Sequence, residues 1–585
     1  MFKYSFSGMT FSFILLFSGL AIGAVIHVPD NAGTIQEGIN MAQQGDTVLV
    51  DEGTYYENVK FNGKSIVVAS KFILDHNPAH ILNTIINGSM AVDPDSSSCV
   101  IFSGEDSNAV LQGFTLTEGG GTIYFLSNLK TTTKYDGKIT VEGGGIFFNE
   151  SSATVKNNLI INNHANAISG NDYNGGGGIS TFCSNPRIYN NIIMNNRTIS
   201  ANGTYAYAAG IVLNESQGVI RNNIIYHNTT TGRGALFIDI NLSSVVENNT
   251  IVGNICNRDA AGIFNRTSNS VYMNNIVWEN IDIDDQVKGM DDDDIFEYCY
   301  TDQVFNNKQN IFNSYPEFSE SNFMLDPNSP CIDAGNPDVA FNEIEDNTNP
   351  GYAKIPSLGS KRNDVGAYGG PFADIFPDFY NEDIMIADQL TIPTTMVSKS
   401  TSKEIKLTNL STKNMTIDSI TVNNKEELSI SNSINYKVKP MQALTIEVNW
   451  KPQQTGILND SLRIYHNLKE VNNPLIVKLG GTAAELTGIL DEQNKAVPLK
   501  FILMQNYPNP FNPATQIKYS LPNQELVILK IFDSLGQEVR TLVNEEKPPG
   551  TYQIEFYAVN LPTGVYFYRI QAGSFNQVRK MMLIK

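Results

Sequence analysis

The sequence predicts an all-β chain: a parallel β-helix first, then two β-sandwiches. Three observations lead there. The pattern Asn-Asn-x-Φ-x-x-Asn, with Φ aliphatic, recurs five times between residues 157 and 280. Long amphipathic helical patterns are nearly absent, while Asn, Gly, Ser and Thr are abundant. Downstream of residue 400, short alternating runs are separated by Gly, Pro and Asn turns, which is the pattern of antiparallel strands.

The repeat defines the first unit. Its Asn-Asn pairs begin at Asn157, Asn190, Asn222, Asn248 and Asn274, so the starts differ by 33, 32, 26 and 26 residues. A Gly followed by Ile or Ala precedes each pair, at Gly145, Gly178, Gly210, Gly234 and Gly262. An apolar residue lies two before each pair: Val155, Ile188, Ile220, Val246 and Tyr272. The next aliphatic comes five positions later. Residues on one face of a straight strand are an even number apart, so an odd interval with both side chains inside requires a bend at the pair. Asn tolerates the left-handed conformation of such a bend. Stacking coils of this length brings the Asn residues into register as amide ladders, and each coil adds one strand spacing of about 4.8 Å.

The elements then follow in order. Lys3, the apolar run from Phe11 to Ile22 and the small-residue site Ala21-Ile22-Gly23 make residues 1–23 a secretory signal peptide, with cleavage expected after Gly23. Thr34-Ile35-Gln36-Glu37 is a capping box. It opens a short helix with Ile35, Ile39 and Ala42 on one face, suited to cover the open end of the coils. Gly45 to Val50 and Gly53 to Asn58 form the first coil, and Asn87-Gly88 and Leu111 to Thr115 belong to the next. The Gly175 to Gly178 run marks a close approach of coils. These landmarks resemble the right-handed parallel β-helices of the pectate-lyase-like superfamily, over residues 24–372. In that family, segments like Ser329 to Gly335 and Asp364 to Tyr368 close the helix.

Residues 373–484 carry the alternating runs Ile405–Leu407, Leu444 to Trp450 and Leu475 to Leu479. A seven-strand sandwich is expected. The Trp450-Lys451-Pro452 and Leu479 to Ala483 signals resemble immunoglobulin-like bacterial spacer domains. Residues 485–499 are a polar linker.

Residues 500–585 alternate at Val527, Leu529 and Ile531, at Tyr552, Ile554 and Phe556, and at Val565, Phe567 and Arg569. Asp533-Ser534-Leu535-Gly536 reads as a turn. The landmarks Tyr507, Pro508, Asn509, Pro510, Phe511, Asn512 and Pro513, then Gly536, Gly564 and Tyr566, and the ending K-M-M-L-I-K resemble the C-terminal sorting domain of type IX secretion cargo. The Y-P-N-P-F-N-P stretch suggests no packing reason for its form. The resemblance implies delivery through the periplasm to the outer-membrane surface or the medium, with the type IX secretion machinery as partner.

The chain has 585 residues and a formal net charge of −20, which argues against nucleic acid or anionic membrane as a partner. Beyond the signal, no stretch is apolar enough to span a bilayer. There are five cysteines, an odd count without C-x-x-C spacing. Cys183 and Cys256 are expected as small buried hydrophobes, with Cys299–Cys331 as a bridge candidate.

The loops between each repeat's third Asn and the following Gly are where function would sit. As catalytic candidates they and the adjoining strand hold Arg233, Asp239, Arg258 and Asp259. The fold resemblance implies that a lyase would use a basic residue to abstract a proton beside a uronate carboxylate, with acidic residues and Ca²⁺ neutralising that carboxylate. The bland alternative is a set of solvated loop charges, and an Arg base would need a strongly perturbed setting. As binding candidates the loops hold Asp172, Tyr173, Tyr205 and Tyr207, which would stack on sugar rings or else pack between coils. Asp282, Asp284 and Asp285 are dense enough for Ca²⁺ but lack the order of a calcium loop. Two functions follow: an exported glycan-binding or adhesive protein, or a polysaccharide lyase or glycoside hydrolase acting on an extracellular polysaccharide.

Overall fold

Coil upon coil, the strands of residues 25–312 fall into long parallel sheets. The structure, a computed structural model, describes residues 23–125, 139–166, 173–200, 206–239, 243–266, 269–281, 285–289, 294–303, 305, 308, 310–319, 322–378, 383–431, 434–485, 500–534, 536–559, 561–573 and 575–584. The expected signal run at residues 1–22 lies outside them. Among the described residues a first stack holds ten strands from Val25–Val28 to Ile295–Glu297, and a second holds ten from Gly53–Tyr55 to Ile311–Phe312. A third holds eight from Val59–Lys60 to Asp285–Lys288. This is a parallel β-helix. Its first end carries the helix Ile35–Met41, capped by Thr34, whose hydroxyl accepts from Glu37 N. Ile35, Ile39 and Ala42 are buried as the capping pattern implies.

The register confirms the bend. Val155, Ile188, Ile220, Val246 and Tyr272 form one column of the first stack. Ile160, Ile193, Ile225, Ile251 and Val277 form one column of the second. All ten are fully buried, and burying each such side chain stabilises by roughly 1.5–3 kcal/mol.

The two Asn of each pair have different tasks. The first one takes the left-handed conformation, with φ of 55°, 51°, 51°, 52° and 59° at Asn157, Asn190, Asn222, Asn248 and Asn274. The second one builds the ladder. Asn158, Asn191, Asn223 and Asn249 each donate Nδ2 to the Oδ1 of the next, at 3.0–3.1 Å. The third Asn builds a parallel ladder through Asn163, Asn196, Asn228, Asn254 and Asn280. Serines serve the turn between third and first stacks in two registers: Ser151, Ser184 and Ser216 form one column, with Ser151 N to Ser184 Oγ at 3.0 Å, and Ser244 and Ser270 form another, level with Gly218. At Gly178 a Cβ would stand 2.7 Å from Gly210 O, so the glycine run does mark a close approach of coils.

The expected closing segments do something else. Residues 363–374 run back along the flank of the stack as a strap. The first Asn of each of the four earlier pairs bonds to this strap, and that of the fifth pair bonds to Asn336. Asn157 donates to Asp374 (2.9 Å), Asn190 to Phe372 O (3.0 Å), Asn222 to Ala367 O and Gly369 O, and Asn248 to Asn363 and Asp364 O. Asn274 Oδ1 accepts from Asn336 N. Phe372 lies under the Arg221 guanidinium, 4.9 Å from ring centre to Cζ.

Two cysteine expectations are overturned. Cys299 and Cys331 are free and buried, and Cys183 is exposed at the end of a third-stack strand. Its φ of 48° turns the chain out of the stack. Cys256 is buried as expected.

Among the described residues, 384–484 form a sandwich of ten strands, not seven, because short edge strands such as Ile384–Met385 and Thr395–Met396 join the longer ones. The chain divides into two compact units. One comprises Met1–Leu390, Ser402–Asn449 and Asp460–Leu479, the other Thr391–Thr401, Trp450–Asn459 and Gly480–Lys585. Within the first unit, sandwich residues touch the second stack: His227 pairs with Asp383 at 2.9 Å and Glu279 with Lys406 at 3.0 Å. Leu410 and Met441 share a buried cluster with Tyr226 and Val252.

The last eighty-odd residues form an antiparallel sandwich. One sheet holds Ile502–Leu503, Ala514–Leu521 and Gly550–Tyr557. The other holds Glu538–Lys547, Glu525–Phe532, Gly564–Ala572 and Phe575–Leu583, in that order. Gly536, at φ 80°, closes the expected turn, with its N–H on Asp533 O. Val527, Leu529 and Ile531 point inward. In Gly564–Ala572 the phase is the reverse of that expected. Tyr566, Tyr568 and Ile570 are buried, and Val565, Phe567 and Arg569 face outward. Both faces of that strand are apolar, so its alternation could not tell inside from outside.

Candidate functional site

Side chains on the third stack alternate between core and exterior. Ile146, Ile179, Ile211, Leu236 and Ile263 form an inward column. Two columns face out. One runs Phe147, Ser180, Val212, Phe237, Phe264 and Lys288, the other Asn149, Phe182, Asn214 and Asp239.

The first outward column is roofed by the chain's own loops. Tyr207 stacks on Phe237 with ring centres 4.6 Å apart, and Phe237 on Phe264 at 5.6 Å. Tyr207 is 6% exposed, so it packs between coils instead of presenting a face to a sugar. The Arg233 guanidinium lies over Phe264 at 4.9 Å. Its Nε donates to Asp259 Oδ2 at 2.5 Å, and Lys288 Nζ donates to Asp259 Oδ1 at 2.9 Å. The two cations hold the Asp259 carboxyl below its usual range against the opposing effect of burial. The structure thus brings Arg233 and Asp259 together as a positioned ion pair. A guanidinium so paired keeps its proton and is a poor general base. Asp239 is buried and bonded to Arg266 at 3.3 Å. Arg258 is exposed beside Asp259.

At its early coils the second outward column is covered by Tyr124. Tyr124 lies half-exposed on Phe182, with ring centres 5.0 Å apart, and 5.5 Å from Phe147. Phe125, next to it, is 63% exposed. Asn149 and Asn214 flank Phe182, one coil away on either side. Asn149 Oδ1 and Asn214 Nδ2 have no hydrogen-bond partner among the described residues. Buried polar atoms are nearly always bonded, so an acceptor and a donor are left on either side of one ring. Glu150 and Cys183 end their strands in left-handed turns and are exposed, and Glu215 turns likewise. The sequence signal for this column is the Phe-Asn and Thr-Phe endings of the strands that follow Gly145 and Gly178.

Asp172, Tyr205, Asp282 and Asp284 lie outside the described residues, and Tyr173 and Asp285 are described in backbone only, within Tyr173–Gly175 and Asp285–Lys288. Among the described residues no group of three His, Cys, Asp or Glu side chains is placed to hold a metal ion.

In the C-terminal sandwich the Y-P-N-P-F-N-P stretch does have a packing reason. Phe511 is buried 6.0 Å from Phe556, its N–H donates to Met582 O, and its carbonyl accepts from Ile584 N. Asn509 Oδ1 accepts from Met582 N at 2.8 Å, and Gln505 Nε2 donates to Lys580 O at 2.7 Å. The segment covers the open edge of the terminal strand, an edge that would otherwise pair with other chains. Tyr507 remains 82% exposed.

Residues 505–585 match the family described as the secretion system C-terminal sorting domain. Residues 386–470 match the family described as abnormal spindle-like microcephaly-associated, ASPM-SPD-2-Hydin. Among solved structures, the ASH/PapD-like domain of human CEP192 is 17% identical, covering 17% of this chain and 85% of that one, with a TM-score of 0.14. A Porphyromonas gingivalis W83 protein of unknown function is 9% identical over 34% of this chain and 97% of that one (TM-score 0.16). The secreted serine protease VesC from Vibrio cholerae is 10% identical over 34% and 52% (TM-score 0.15). No curated protein matches. The sorting domain makes this an exported protein, carried by type IX secretion to the cell surface or the extracellular space. No helix among the described residues is long and apolar enough to cross a membrane.

Proposed function

We propose that the exported β-helix binds extracellular polysaccharide, as an adhesive or glycan-holding surface rather than a lyase. The observation that carries this is the half-exposed Tyr124, stacked over the buried Phe182, which is flanked by the unpartnered Asn149 Oδ1 and Asn214 Nδ2. A ring with a donor and an acceptor beside it suits a sugar, whose apolar face stacks while its hydroxyls bond. The pairing of Arg233 with Asp259 and of Asp239 with Arg266 supports binding over proton abstraction. Glu150 and Glu215 beside the column disfavour uronates and favour neutral sugars.

The test is retention of the purified protein on a panel of neutral and acidic polysaccharides, with absorbance of unsaturated uronates followed in parallel, with and without Ca²⁺. Retention on a neutral polysaccharide, weakened about tenfold by Tyr124→Ala, is expected, since one aromatic stack contributes about 1–2 kcal/mol. Ca²⁺-dependent product formation lost in Arg233→Ala would replace binding by catalysis.

A further inference from the structure

We propose that the outward face of the four-stranded sheet in the sorting domain docks on the secretion machinery, and that the surface it meets is apolar at its centre and rimmed by carboxylates. The face is built by register. Phe532 stands beside Phe567, and Phe567 beside Lys580. Lys530 stands beside Arg569, and Arg569 beside Val578. Val565 pairs with Met582. Val578 and Met582 are 52% and 37% exposed, and Arg569 and Lys580 are exposed as well. Arg569 and Lys580 are thus set among aromatic and aliphatic side chains on a surface that the domain's own fold leaves open, while Lys530 is paired with Glu538 at 2.7 Å. The opposite face of the same strands buries Tyr566, Tyr568, Ile570 and Met581 in the core. An outward sheet face this apolar is a liability in a lone domain and is the usual mark of an interface.

Charge identifies the partner's chemistry. Residues 500–585 contain nine Lys and Arg against six Asp and Glu, a formal +3. Residues 1–499 contain 31 against 54, a formal −23, which together give the −20 of the chain. A basic domain at the end of so acidic a chain separates the part to be captured from the part to be carried. A carboxylate-rimmed receptor attracts the first and repels the second. The acidic cargo then does not compete for the receptor. The edges point the same way: the terminal strand's edge is covered by Phe511, and the opposite edge strand, Glu538–Lys547, carries alternating charge. Edge pairing is therefore blocked there, and the face remains.

The experiment uses the full chain in a type IX-secreting host. Arg569→Glu with Lys580→Glu reverses charge on the face. Lys500→Glu with Lys518→Glu makes the same net change away from it. Surface and periplasmic fractions are measured by protease accessibility, and each purified protein is melted to confirm folding. The face variant is expected to lose surface delivery about tenfold and collect in the periplasm, with the control exported like the wild type. The neutral pair Arg569→Gln with Lys580→Gln, which leaves the strands intact, is expected to give a smaller loss in the same direction. It decides the matter should the reversal misfold. Equal export of face variant and wild type overturns the proposal. So does equal loss in both reversals, which would mean that net charge and not this face is read. A wild-type dimer abolished by the face variant with export intact would assign the face to a second copy of the chain and would equally overturn it.

Discussion

Asn222 and Asn223 are neighbours of one kind with separate physical roles. Asn223 accepts from Asn191 N and Nδ2 and donates to Asn249 Oδ1, Ile188 O and Arg221 O. Asn223→Leu strands those partners inside the stack and should cost about 1–3 kcal/mol. Asn222 instead supplies the left-handed bend and the bonds to the strap. Asn222→Gly keeps the bend without a Cβ and should cost less than Asn222→Ala, which keeps neither ease of conformation nor side-chain bonds. Asn472→Leu, on the exposed sandwich surface, should change little. Chemical denaturation of the four variants orders them, and equal costs for Asn223→Leu and Asn472→Leu would count against the ladder. Glu142 offers a second test at this scale. It is fully buried, and burial pushes its carboxyl up to about 8 against the bonds from Ser180 and Thr140. The folded state holds a proton that the unfolded state releases near the ordinary Glu value. Stability from this group is therefore full below about pH 4.5 and is lost as pH rises to about 8. Glu142→Gln should remove that loss, so its melting temperature should gain on the wild type by an amount worth a few kcal/mol between pH 5 and 8. Parallel melting curves would refute it.

At the scale of elements, what was legible in the sequence was whatever repeats. The Asn ladders and the columns of Val, Ile and Tyr declare themselves because each coil restates them. The strap was not legible. Its bonds join residues more than a hundred positions apart, as between Asn222 and Gly369 or Asn248 and Asn363, and nothing local fixes such a partner. The outward column around Phe182 was not legible for a related reason: an aromatic strand end looks like core until the register assigns it to the outside. The strap carries its own prediction. Glu343 and Asp364 are buried together, with Asp364 N on Glu343 Oε1 at 2.7 Å. Burial, and for Glu343 the neighbouring Asp364 carboxylate, push both groups upward. Their contribution is present at low pH and lost as pH rises from the ordinary carboxylate range through neutrality. Hydrogen exchange of the Gly366 and Ala367 amides should therefore speed up between pH 6 and 9 beyond the intrinsic rate. Glu343→Gln should flatten that excess, and an unchanged excess would sink the assignment.

At the scale of the molecule, the sorting domain has its own core of Leu503, Phe511, Tyr519, Leu529, Phe556, Tyr568 and their neighbours. Deleting residues 500–585 should leave the β-helix and the sandwich folded, since that core is complete in itself. The truncated protein should accumulate in the periplasm. Delivery of the truncated chain to the cell surface would separate this domain from export. The sandwich before it is another matter. His227–Asp383, Glu279–Lys406 and the burial of Leu410 and Met441 with Tyr226 tie part of it to the coils, so cutting at residue 372 should expose that cluster and lower the melting temperature.

The ladders also set how such a molecule can change in length. Coils of 33, 32 and 26 residues share one set of rungs, and the difference is taken up by loops outside it. The rungs bond from coil to coil, but the strap is held in register by Asn157, Asn190, Asn222 and Asn248, so a coil gained or lost must be matched by a change in the strap. Every added coil lifts the outward columns by the same step of about 4.8 Å. The stack is thus a ruler whose graduations are the Asn rungs, and the strap along its flank is the scale cut to match them.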